Sequence, residues 1–84
     1  MKTISHAVTD PQGLHARLCV QLALAASQCP GEALVTCRGA TCSAKDPVAL
    51  LALGARQHDT ITVTFCEETP VDVAAEIEQI VAAL

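Results

Sequence analysis

Aromatic residues are almost missing from this sequence: Phe65 stands alone, with no Trp or Tyr. Any core must therefore be aliphatic, built from Leu, Val, Ile and Ala. Basic residues are scarce too. Lys2, Arg17, Arg38, Lys45 and Arg56 are scattered along the chain and outnumbered by nine acids, for a net charge of −4. That leaves no continuous basic stripe for a phosphate backbone, so nucleic acid is not expected as a partner. No apolar run approaches the roughly 18 residues that span a bilayer, and the N-terminus lacks the basic, apolar and small-residue succession of a secretory signal. A cytoplasmic protein with no membrane insertion is the expectation.

Paired-ligand spacing is also absent. The five cysteines, at positions 19, 29, 37, 42 and 66, are an odd number and form no C-x-x-C pair, which argues against zinc and against a redox couple. They read as small buried hydrophobes with reduced thiols. Cys19 follows His15 by four residues and shares a helix face with it, but two ligands do not make a metal site. No metal and no cofactor are expected.

What is present is apolar content, 51% of 84 residues, enough to exclude a disordered tail and, at this length, to form one domain over residues 1–84. At ~0.05–0.15 kcal/mol per residue the fold would be stable by about 4–13 kcal/mol. Such a small reserve favours a surface site over a deep cleft.

From Lys2 to Val8, Ile4, His6 and Val8 alternate with Thr3, Ser5 and Ala7, the two-residue period of a strand with one covered face. His6 lies on the covered side, as a histidine at the edge of the core. Thr9-Asp10-Pro11-Gln12-Gly13 is a turn cluster. Ala16 to Gln28 has no Gly or Pro and predicts a helix of about three and a half turns. It buries Leu18, Cys19, Leu22, Ala23, Ala25 and Ala26. On its polar face Val20 and Leu24 stand beneath Arg17, an apolar stripe suited to docking. After Cys29-Pro30-Gly31, the alternation of Ala33, Val35 and Cys37 leads through Arg38-Gly39 to Cys42 and Ala44, a hairpin. Asp46 and Pro47 read as N-cap and first residue of a short helix, Val48 to Leu53, closed by Gly54. Thr60 to Cys66 alternates β-branched residues as a strand. A threonine cap at Thr69, a first-position proline at Pro70 and an acid at Asp72 begin the last helix, with Val73, Ile77, Ile80, Val81 and Leu84 as its buried stripe. The order is βαββαβα. Its three helices must cover one face of a four-stranded sheet, an open-faced α/β (α+β) sandwich.

Chemistry concentrates at Gly13-Leu14-His15-Ala16-Arg17. A histidine occupies the cap position where Ser, Thr, Asp or Asn would serve the helix better. The first amides of a helix lack intrahelical partners and carry about half a positive charge, which makes an anion site. An imidazole there is a nucleophile beside a phosphate cradle. Arg17 adds a forked cationic donor in the first turn, where it opposes the macrodipole and needs an anion to be favourable.

This segment, followed by Lys45-Asp46-Pro47-Val48-Ala49-Leu50-Leu51-Ala52-Leu53-Gly54, resembles the HPr family, the histidine-containing phosphocarriers of the phosphoenolpyruvate-dependent sugar phosphotransferase system (PTS), and the likeness covers the whole chain. The resemblance implies an HPr-like sandwich with an antiparallel sheet and a carrier protein rather than an enzyme. It implies that His15 takes a phosphoryl group on Nδ1, the pros nitrogen, from phosphorylated enzyme I, assisted by Arg17, and passes it to sugar-specific enzyme II A-domains. It also implies that both partners dock, in turn, on Val20, Leu24, Pro47, Val48 and Leu51 of a monomer. Two departures stand out. Leu18 replaces the family's usual proline and restores an N–H to the first turn. Asp46 replaces the serine that is a regulatory kinase site in Gram-positive relatives. Its ordinary role is a helix cap, and its one charge falls short of the −1.5 to −2 or so of phosphoserine. The competing reading is a regulatory binding module with this fold and little or no phosphoryl relay. A thiol or metal protein, requiring zinc or a Cys37–Cys42 disulfide, is a third.

Overall fold

The computed structural model describes residues 2–84. The alternating segments become β1 (Lys2–Ala7), β2 (Ala33–Cys37), β3 (Ala40–Ser43) and β4 (Thr60–Phe65), and the Ala/Leu-rich segments become α1 (Ala16–Ala26), α2 (Pro47–Leu53) and α3 (Val71–Ala82). The strands form one sheet in the order β1-β4-β2-β3, and every neighbouring pair is antiparallel. Register carries the sequence alternation across the sheet. Ile4, Val63, Val35 and Cys42 share one row, and His6, Ile61 and Cys37 the next. With Phe65, this face meets Leu22, Leu50, Ile77 and Val81 in an aliphatic core with one aromatic ring. On the uncovered face lies a row of hydroxyls, Ser5, Thr62, Thr36 and Thr41, in which Ser5 pairs with Thr62 at 3.3 Å and Thr36 with Thr41 at 2.9 Å. Such cross-strand pairs hold register without a second layer.

The expected faces of α1 hold: Cys19, Leu22, Ala23, Ala25 and Ala26 are buried, Leu18 packs half-buried at the margin, and Val20 and Leu24 are exposed. Its end does not. The helix stops at Ala26 rather than Gln28, because Gln28 N–H turns to the Ala25 carbonyl and Cys29 N–H to that of Ala26, the tighter three-residue spacing that ends a helix. The first and last strands in the sequence are each one residue shorter than expected, β1 ending at Ala7 and β4 at Phe65.

The start of α3 corrects the threonine cap. Pro70, with φ −55° and ψ 146°, is itself the cap residue, and the helix begins at Val71. Thr69 lies in a turn closed by its own N–H to the Cys66 carbonyl at 3.0 Å. Its hydroxyl is carried into the interior, where Oγ1 has no hydrogen-bond partner. By contrast α2 follows the sequence signals residue for residue. Asp46 Oδ1 accepts the Val48 and Ala49 amides at 3.0 and 3.3 Å, Pro47 opens the helix, and Gly54 closes it in the left-handed region at φ 68°.

Candidate functional site at the start of the first helix

His15 occupies the cap position of α1 with extended backbone, φ −93° and ψ 171°, and its side chain makes no capping hydrogen bond. The first intrahelical bond runs from the Cys19 amide to the His15 carbonyl at 3.0 Å. The amides of Ala16, Arg17 and Leu18 precede that bond and lie at the positive end of the helix. No acidic residue stands in this first turn. Arg17 is exposed and Leu18 packs against the core, so the Leu18 N–H in this first turn belongs to a residue anchored by its side chain.

The loop that carries His15 is pinned along its length. Thr9 and Asp10 donate their amides to an oxygen of Leu84, Gln12 N–H bonds Asp10 Oδ1 at 2.9 Å, and Gly13 N–H bonds the Asp10 carbonyl at 2.9 Å. Leu14, buried, donates its amide to the Ala55 carbonyl at 3.0 Å. Gly13 lies against the same peptide with φ 64°, and a Cβ there would sit 2.3 Å from the Ala55 oxygen. Only glycine combines that conformation with that approach. His15 is thus the first residue beyond a seat formed by the segment after α2.

Beside it runs an apolar groove of about 210 Å³ between α1 and α2, lined by Ala16, Cys19, Val20, Pro47, Val48 and Leu51. Val48 is 74% exposed, and Val20 and Leu51 are about half exposed. The fold brings four of the five expected docking residues to one groove that begins at the residue after His15. Leu24, 63% exposed, lies one turn farther along α1 and outside the lining. Cys19 closes the floor. Burial, and secondarily the neighbouring Cys42, pushes its thiol above the ordinary range, against a smaller lowering by a backbone hydrogen bond. Burial likewise raises Cys42, with the Asp46 charge adding to it. Burial therefore favours the protonated thiol, the weakly nucleophilic form, at both positions.

The remaining candidates lie elsewhere. His6 is half-buried, its Nε2 without a hydrogen-bond partner among the described residues, and His58 is exposed in the loop before β4 at φ 77°. All five cysteines are free, and no cluster of three metal-ligating side chains occurs among the described residues. No described helix is long and apolar enough to cross a membrane. What the sequence did not reveal is the seat itself. Gly54 read as a helix stop, but nothing local indicates that Ala55, forty-one residues from Leu14, receives its amide.

Comparison with known proteins decides the family. The family model described as the PTS HPr component phosphorylation site matches residues 2–83. The chain belongs to the HPr family. Solved structures of HPr proteins share its fold. The histidine-containing phosphocarrier protein of a Mycoplasma superposes with a TM-score of 0.86 at 23% identity, over 94% of this chain and 90% of that one. HPr-C-His from Thermoanaerobacter tengcongensis gives 0.82 at 18% identity, over 96% and 91%. The phosphocarrier protein HPr from Bacillus anthracis gives 0.73 at 20%, over 95% and 92%. Among curated proteins, no sequence matches the chain significantly.

Proposed function

We propose that this HPr-family chain is an active phosphocarrier of the sugar phosphotransferase system, accepting a phosphoryl group on His15 from phosphorylated enzyme I and passing it to a sugar-specific enzyme II A-domain. The observation that carries the reading is the uncapped start of α1, where a histidine stands in the cap position without a capping bond and no acid balances the positive end. In the forward step the lone pair of His15 Nδ1 attacks phosphorus. The bond from phosphorus to the donor breaks, and its electron pair returns to the donor. The phosphoryl oxygens then face the first-turn amides and the Arg17 guanidinium, which offset their charge without costly reorganisation. The second transfer reverses the geometry with an acceptor in the donor's place.

The groove supports the same reading. Val20, Pro47, Val48 and Leu51 offer an apolar surface next to the reacting atom, on which donor and acceptor dock in turn, with Leu24 extending it. The carrier acts as a cytoplasmic monomer, and Asp46 supplies a cap where a regulatory serine would sit. Incubation with phosphoenolpyruvate, enzyme I and a sugar-specific A-domain tests the proposal by mass spectrometry. Phosphate should appear on His15 and then on the acceptor. Phosphorylation that stops at His15 would favour a regulatory module instead, and an unmodified chain would refute the carrier role.

A further inference from the structure

Arg38 stands where an arginine is poorly suited. It and Gly39 form the turn of the β2–β3 hairpin with φ 51° and 79°, the paired positive angles of a two-residue hairpin turn in which Asn-Gly or Asp-Gly is preferred. A long side chain without a local hydrogen bond gains nothing from this conformation. The guanidinium accounts for the choice, because it reaches away from the hairpin to the end of α2. Its Nη2 donates to the carbonyls of Leu53 at 3.3 Å and Gly54 at 3.1 Å, and its Nη1 lies 3.5 Å from Asp59 Oδ2. Asp59 Oδ2 in turn accepts the Arg56 amide at 2.9 Å. One side chain therefore ties both ends of the segment from Leu53 to Asp59.

Between those ties lies Ala55, whose carbonyl receives the Leu14 amide and touches Gly13. The path from the guanidinium to His15 has three steps: the Leu53 and Gly54 carbonyls, the Ala55 carbonyl, and the Leu14 amide beside His15. The ion pair itself is weak, since the Arg38 side chain is 52% exposed and water screens it. Its value is geometric.

We propose that Arg38 is a positioning residue for the His15 site, holding the segment after α2 so that Ala55 fixes the Leu14 amide and with it the direction of the imidazole. The proposal rests on the carrier reading above. Its test uses Arg38→Asn, since asparagine accepts the left-handed turn but cannot reach α2, and Arg38→Lys, which retains a charge and a shorter reach. Wild type and both variants are compared in three ways: melting temperature, hydrogen exchange at the Leu14 amide, and the rate of His15 phosphorylation by enzyme I.

Arg38→Asn should keep its melting temperature within a few degrees. Leu14 should exchange about tenfold faster while Val35 and Val63 in the sheet are unchanged, and phosphorylation should slow by about tenfold, as a displaced reacting group does. Arg38→Lys should recover part of both losses. Unchanged Leu14 exchange would overturn the proposal, as would faster exchange with a wild-type rate. A slowed rate with Leu14 still protected would overturn it as well, by assigning Arg38 to contact with the donor. If the wild-type chain takes no phosphate, the carrier reading fails, and Leu14 exchange alone decides whether Arg38 holds the loop.

Discussion

The starts of α1 and α2 lie on either side of one groove and are built on opposite principles. At α2, Asp46 caps two amides with its own carboxylate and Pro47 removes a third donor. At α1, His15 caps nothing, no acid stands in the first turn, and Arg17 adds positive charge to an end that is already positive. The first is a helix capped by its own sequence, and the second lacks a side-chain cap, which an anion would supply in the proposed carrier role. In that proposed role the difference separates a structural helix end from a reactive one, although both are surface turns in the same small sandwich.

The comparison breaks most sharply at the imidazole. His15→Ala should abolish phosphate uptake, because it removes the imidazole at the cap position, and should leave the fold intact, because the side chain makes no cap bond to lose. Mass spectrometry with phosphoenolpyruvate and enzyme I, together with a melting curve, checks both halves. Continued phosphorylation would move the role to His6 or His58.

Next in size is the contrast between the two faces of α1. Leu22→Ala empties a fully buried site and should cost about 2–5 kcal/mol in denaturant unfolding. Val20→Asp or Leu24→Asp changes an exposed side chain and should leave stability within about 0.5 kcal/mol while weakening partner binding. Val20 should show the larger binding loss, since it lines the groove and Leu24 does not. Equal losses would place the docking surface farther along α1 than the groove.

The cap comparison can also be exchanged in sign. Asp46→Ala removes a working cap and should destabilise by about 0.5–2 kcal/mol, whereas His15→Asp supplies one to α1 and should stabilise by about 0.5–1 kcal/mol while ending phosphate uptake. Paired urea titrations measure both. A His15→Asp variant no more stable than wild type would mean that the open amides are already satisfied, and that the carrier has sacrificed no stability at this position.

These two helix ends also explain how far the sequence could be read. The helix α2 was legible because every part of it is local: Asp46, Pro47 and Gly54 lie within nine residues of sequence. The open start of α1 was legible for the same reason, through the mismatch between His15 and the cap preference. The start of α3 failed by one residue because Thr69, a good cap by type, is turned inward by its bond to Cys66, a preference overruled by a neighbouring turn. The element order along the chain and the one covered face followed from alternation and helix count, whereas the strand order β1-β4-β2-β3 did not. The Ala55 seat and the reach of Arg38 did not, since both join segments that only the completed sheet brings together.

The smallest expected effect is also the most discriminating for Asp46. Serine caps nearly as well as aspartate, so Asp46→Ser should change stability by only a few tenths of a kcal/mol. It removes one negative charge at the end of α2 that flanks Pro47 and Val48 of the groove. If that charge repels an acidic donor surface, Asp46→Ser should raise the rate of phosphoryl transfer from enzyme I at low salt, and the gain should shrink as added salt shortens the screening length to about 8–10 Å. Stopped-flow or quench measurements at two ionic strengths separate the roles, because a cap acts the same at both and a docking charge does not. Equal rates for aspartate and serine at low salt would leave Asp46 with its capping role alone, and the contrast between the two helix ends would then be wholly one of filled and unfilled amides.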